Sequence, residues 1–107
     1  MSSITGAWRL RMKTPIGTIE ADYHFTDTDT ATGITGTASG AGEQVALRDI
    51  VCAPAPDGEH VTWRQSITRP LRLNLEYDVT VTGDTLTGHS RAGRLSRSTV
   101  TGERIGA

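Results

Sequence analysis

Residues 71–81, LRLNLEYDVTV, alternate without interruption: Leu71, Leu73, Leu75, Tyr77, Val79 and Val81 share one parity, and Arg72, Asn74, Glu76, Asp78 and Thr80 the other. A period of two places successive side chains on opposite faces of a pleated strand, so this stretch has one buried face and one wet face. Residues 6–15, GAWRLRMKTP, repeat the pattern with Trp8, Leu10 and Met12 against Arg9, Arg11 and Lys13. A chain written this way must fold its apolar faces together and hide its sheet edges. What those faces enclose, a solid core or a cavity, is the functional question.

About eight strands are expected between turn signals, at residues 7–13, 18–25, 34–39, 44–52, 60–67, 71–81, 86–91 and 98–105. The longest loop falls at residues 53–59, APAPDGE. Seventeen Thr and twelve Gly, with no stretch of helical period, point to an all-β chain. At 107 residues it forms one domain, 1–107. Short connections favour a single up-and-down antiparallel barrel over a Greek-key sandwich. Closure removes the edges entirely.

Composition narrows the function classes. One Cys, Cys52, excludes an internal disulfide and a cysteine-built metal site. Eleven basic and twelve acidic residues are scattered along the chain, without the basic stripe that nucleic-acid binding needs. No apolar run approaches the roughly 18 residues of a membrane helix, and no signal peptide is visible. The expected location is the cytoplasm. His24 and His89 have outward parity and His60 sits at a loop edge, so no metal site is expected. No GxSxG elbow and no phosphate-cradling loop is present, and no cofactor is implied. Glu20, Asp22, Glu76 and Asp78 fall on outward positions, which opposes a convergent carboxylate pair.

The first strand opens with Gly6-Ala7-Trp8 and the last ends with Gly102-Glu103-Arg104. This resembles the calycin superfamily, the lipocalins, fatty-acid-binding proteins and avidins. The resemblance implies a calycin-like barrel with Trp8 and Arg104 as structural residues, guanidinium over indole, closing one end. The chain also repeats itself: WRLRMKTPI from Trp8 resembles WRQSITRPL from Trp63, and TGITGTASGAG resembles GDTLTGHSRAG with Gly36 over Gly88. Two halves of similar layout are one outcome of that pattern, and chance likeness of short hairpins is the other.

Eight-stranded barrels are either filled by their own side chains or hold one small ligand. Inward parity gives Trp8, Met12, Tyr23, Phe25, Trp63, Leu73, Leu75 and Tyr77 on some strands, and Gly36, Ala38, Gly88, Ser90 and Gly102 on others. Large residues opposite small ones can interdigitate, or aromatics can face a wall of glycines across a cavity. Gln65 interrupts an apolar face between Trp63 and Ile67, and a buried amide requires partners, for which Tyr23, Tyr77 and Ser90 are candidates. The expected ligand-binding residues are Met12, Tyr23, Trp63, Leu75 and Ser90. Gln65 and Tyr77 are the candidate catalytic groups.

The reading that follows is a barrel that binds a small, largely apolar or amphipathic molecule. It serves as a carrier, or as a cofactor-free cyclase or isomerase on a polyketide-like intermediate. A filled barrel acting as an interaction or homo-oligomerisation module stands as the alternative.

Overall fold

The computed structural model describes residues 4–14, 17–27, 34–40, 42–68, 72–93 and 97–105. Leu71 therefore lies outside the described residues. Nine antiparallel strands form one sheet: β1 (Gly6–Thr14), β2 (Gly17–Asp27), β3 (Ile34–Gly40), β4 (Glu43–Ala46), β5 (Arg48–Ala55), β6 (Gly58–Ile67), β7 (Leu73–Thr82), β8 (Thr85–Ala92) and β9 (Ser98–Arg104). Their order, β4-β3-β2-β1-β9-β8-β7-β6-β5, is an up-and-down meander joined through β1 and β9 into a nearly closed barrel. That architecture is consistent with a calycin-like fold. Along β7 the alternation is preserved, with Leu75, Tyr77, Val79 and Val81 buried and Asn74, Glu76 and Asp78 exposed.

Nine strands appear instead of eight because residues 44–52 divide at Leu47. The Leu47 amide donates to Gly36 O at 2.9 Å and so ends the β4 edge of the sheet. One residue later Arg48 is paired with Arg64 on β6, at the opposite edge. Asp49 takes φ 54° there, and the register slips between Arg48 and Val51. A bulge of this kind bends a strand and re-aims its side chains. Across the same seam, Glu43 accepts from the Thr68 amide at 2.9 and 3.2 Å and from the Thr68 hydroxyl, while Arg48 donates to Ser66 Oγ at 3.0 Å. The barrel is thus joined on one side by a ladder and on the other by a crossing chain.

The loop expected at 53–59 is instead strand and turn. Pro54 pairs with Glu59 and Ala55 with Gly58 around Pro56-Asp57. A proline is tolerated there because β5 is an edge strand, where a missing donor costs no ladder bond.

Trp8 is paired with Arg104 across β1 and β9, and the guanidinium lies over the indole at 4.5 Å from the ring centroid. Trp8 Nε1 donates to Ile4 O at 2.7 Å, and Arg104 donates to Thr5 O at 2.6 Å and Asp84 Oδ1 at 2.9 Å. Ile4 and Trp8 are fully buried, so this end of the barrel is stoppered.

The middle of the barrel is filled. Trp63 and Tyr77 stack at 4.8 Å and 8°, Phe25 meets Trp63 edge-on at 5.3 Å, and Tyr23 adjoins all three. The small inward residues make room for neighbours. A Cβ on Gly36 would lie 2.9 Å from Leu47 Cδ1 and 3.1 Å from Phe25 Cδ2, and one on Gly102 would lie 2.9 Å from Leu86 Cγ. The glycine side of the interior is therefore covered by Leu47, Phe25, Leu86 and Leu10, which is the interdigitated arrangement.

The two halves repeat one register. Trp8 pairs Tyr23 as Trp63 pairs Tyr77, Phe25 pairs Gly36 as Val79 pairs Gly88, and Tyr23 pairs Ala38 as Tyr77 pairs Ser90. Strands β1, β2, β3 and β4 thus correspond to β6, β7, β8 and β9, and β5 is the supernumerary strand.

Two glycines make unequal demands. At Gly88 a Cβ would sit 2.0 Å from Asp78 O and 2.6 Å from Val79 Cα, so only a backbone shift accommodates it. At Gly102 the obstacles are ends of leucine side chains, which can turn aside. Gly88→Ala is expected to lower unfolding free energy by roughly 3 kcal/mol and Gly102→Ala by about 1 kcal/mol, as urea titration would show. Equal losses would contradict the close approach of β7 to β8.

Candidate functional site

β6 presents Val61, Trp63, Gln65 and Ile67 to the interior, and Gln65, only 3 % exposed, is the one long polar side chain among them. Its Oε1 accepts from Trp63 Nε1 at 3.0 Å and from the Tyr23 hydroxyl at 2.9 Å. An indole N–H is a donor with no acceptor capacity, so the atom facing Trp63 must be the amide oxygen. The orientation of the amide follows, and its NH2 points away. Among the described residues nothing accepts from that NH2.

The group lines a cavity of about 40 Å³ at the end of the barrel opposite Trp8. Met12, Ile19, Ala21, Ala38, Val45, Ile67 and Leu75 supply apolar walls, while Tyr23 and Gln65 lie at its base and Glu43 at its edge. A site of roughly 10–15 Å³ already holds one water, so this volume suits a small terminal group of a ligand and not a whole polyketide-sized chain.

Behind the cavity the polar groups form a chain. The Tyr23 hydroxyl lies 3.0 Å from that of Tyr77, and Tyr77 donates to Met12 Sδ at 2.9 Å and is bonded to Ser90. Tyr77 and Ser90 are buried behind the aromatic layer and do not line the cavity. Of the residues singled out from the sequence, Met12, Tyr23, Gln65 and Leu75 meet at the opening. Trp63, Tyr77 and Ser90 form the layer that supports them. Trp63 as a hydrogen-bond partner of Gln65 escaped sequence reasoning, although its position two residues away on the same face carried the signal. Ile19, Val45 and Ile67 as walls are likewise recoverable from parity alone.

Comparison of the halves isolates the polar positions. Gln65 corresponds to Leu10, and Ser90 to Ala38, in the repeated register. The same barrel position is therefore satisfied by an apolar side chain in one half. There the equivalent indole, Trp8, donates to Ile4 O instead, so the amide oxygen at 65 is the acceptor Trp63 needs, while its NH2 answers no demand of the interior.

Burial, followed by the neighbouring Tyr77, holds the Tyr23 phenol well above its usual range, and burial also raises Tyr77. Both hydroxyls are neutral donors at ordinary pH and cannot serve as bases. Elsewhere, His60 Nε2 meets Asp78 Oδ1 at 2.5 Å on the outer face. No group of three His, Cys, Asp or Glu among the described residues is arranged to hold a metal. Cys52 is a half-buried thiol that forms no disulfide. Among the described residues no helix is long and apolar enough to cross a membrane.

The two tyrosines are the only ones in the chain. Because the native state holds their protons more tightly than the unfolded state, their contribution to stability is complete below the unfolded phenol pKa near 10 and declines as pH rises beyond it. Phenolate absorbance at 295 nm should stay absent in the folded protein above pH 10 and emerge only with the loss of tertiary circular dichroism. A phenolate signal at pH 10 in fully folded protein would show that at least one ring is reachable by water.

The chain matches no family model, no curated protein and no solved structure, so its function rests on the geometry of its own residues.

Proposed function

We propose that this barrel binds the end of a small, largely apolar molecule bearing a carbonyl or similar acceptor. The molecule enters between Ile19, Val45, Ile67 and Leu75 and ends on the Gln65 amide. The observation that carries the reading is the fixed orientation of Gln65, which leaves a donor with no partner among the described residues in a largely apolar cavity. Mostly apolar pockets with a few converging polar groups are the ordinary form of small-molecule sites. The nearly closed barrel supports the same reading, since barrels of about this size can hold one small ligand.

The seam beside the cavity offers a way in. Glu43 and Thr68 bridge it through side-chain contacts, and among the described residues no strand ladder joins β4 to β6. A ligand larger than the cavity requires that seam to widen. If the bound carbonyl belongs to a flexible chain, the Gln65 donor also polarises it, and the apolar walls fold the rest of the chain against it. This is the cyclase or isomerase form of the proposal. Tyr77 would then act through Tyr23 and not by contact.

The filled middle of the barrel favours a second reading, a solid barrel that works through its outer surface. Titration with 2-heptanone, followed by the Gln65 side-chain amide resonances, separates the two. Binding should shift those resonances, and Gln65→Leu should weaken the ketone about tenfold, the value of a hydrogen bond worth roughly 1.4 kcal/mol. A matched hydrocarbon, n-heptane, should bind both forms alike. If neither compound perturbs the cavity residues, the interior is a core and the outer-surface reading stands.

A further inference from the structure

A concavity also lies outside the barrel. It has a volume of about 490 Å³ and is floored by the outward residues of β6, β7 and β8. Cross-strand pairing sets two rows across it, Arg64–Glu76–Arg91 and Thr62–Asp78–His89. Asp49 stands on one side and Arg97 on the other. The volume falls within the roughly 300–1,000 Å³ of small-molecule sites.

Asp78 meets His60, but the arginines of the groove have no ion-pair partner among the described residues. No carboxylate lies within 4.0 Å of Arg64, Arg91 or Arg97 among the described residues, although Glu76 is directly opposite both Arg64 and Arg91. The repeated register provides an internal comparison. Arg9 and Asp22 occupy the positions of Arg64 and Glu76 in the other half, and they close into an ion pair at 3.0 Å. Arg11 and Glu20 do the same at 2.8 Å, and Arg9 also reaches Glu20 at 4.0 Å. One half of the outer sheet neutralises itself. The equivalent half holds its guanidinium groups apart.

A second, independent feature sits in the same groove. Asp49 is the only described residue other than glycine with positive φ, at 54°. Left-handed backbone at a non-glycine residue carries a conformational cost and recurs at ligand sites. Here it belongs to the bulge that carries β5 out of register with β6, and Asp49 lines the concavity so formed.

We propose that this groove is a binding site for a small oxyanion, a carboxylate or phosphate, on a molecule that also carries hydroxyl or ammonium donors. Arg64 and Arg91 stand two strands apart, roughly 10 Å between backbones, and their long side chains converge on one anionic group from either side. Arg97 closes the groove from the β8–β9 connection. Asp49 and Glu76, acceptors without partners among the described residues, take the donors. Three guanidinium groups and two carboxylates leave a net charge of only +1 across these five residues, which favours a ligand with both kinds of group over a bare polyanion. This site is separate from the barrel cavity, and its occupancy is independent of the function proposed for that cavity.

The test uses the whole protein labelled with 15N at arginine, with the Nε–Hε resonances followed at constant ionic strength. Inorganic phosphate, citrate and O-phosphoserine are the probes, with sodium chloride as reference. Saturable shifts are expected at Arg64 and Arg91, with no comparable change at Arg9 and Arg11. O-phosphoserine should bind about tenfold more tightly than phosphate, and Asp49→Asn should remove that advantage while leaving phosphate binding in place. Tighter binding of phosphate than of citrate assigns the phosphate class, and the reverse order the carboxylate class. All of these side chains are exposed, so Arg64→Gln should leave the melting temperature within about 2 °C and abolish the saturable response. Shifts that are linear for every probe, or equal at Arg9 and Arg64, would overturn the site.

Discussion

Everything in this barrel depends on the pairing of β1 with β9. Without it the meander is an open ribbon with four strands on one arm and five on the other, and Trp8 has no cover. Once the two ends of the chain are laddered together, the indole is capped by Arg104 and the remaining free edges, β4 and β5, are brought round to face one another. Those edges are consecutive in sequence, so the chain itself crosses between them at Leu47. β4 and β5 cannot fold back on each other as a hairpin, because the single residue between them is too short for the turn. The amide of Leu47 is satisfied by Gly36 and the next residue already belongs to the other edge. The bulge at Asp49 is how the backbone makes that change of partner.

The repeated register turns one half of the molecule into a control for the other. Where both halves agree, as in Trp8 with Tyr23 and Trp63 with Tyr77, the residues answer a demand of barrel geometry. Where they differ, something other than closure selects the side chain. Leu10 against Gln65 and Ala38 against Ser90 place the departures around the two facing phenols. Arg9 paired with Asp22, against Arg64 unpaired beside Glu76, places another on the outer face. Two of these departures, the amide at 65 and the open Arg64–Glu76 pair, lie on β6 and β7.

Alternation made the fold class, the strand faces and most of the interior legible from sequence. The period of two fixes which side of each strand is buried, whatever the closure. The division of residues 44–52 was less visible, yet it left a trace. Leu47 and Ile50 both turn inward but are three apart, so the parity must slip between them. Glycine proved ambiguous because the sequence reports a missing side chain and not what fills the space. At Gly36 the filler is Leu47, which arrives from beyond a corner that alternation did not locate. The outer groove was illegible for a related reason. Alternating charges on a strand read as a solvated face, and only coordinates show which of them fail to meet.

Filling the middle of a barrel and binding at its mouth are complementary arrangements. A donor such as the Gln65 amide discriminates between ligands only if it cannot rotate to satisfy itself elsewhere. Trp63 supplies that restraint through a hydrogen that has one possible role, and Trp63 in turn is clamped by Tyr77 on its face and Phe25 at its edge. Opening a larger cavity by trimming either aromatic ring would release the indole, and with it the amide. The dense interior therefore limits how much of a ligand can enter while fixing the chemistry that the entering group must meet.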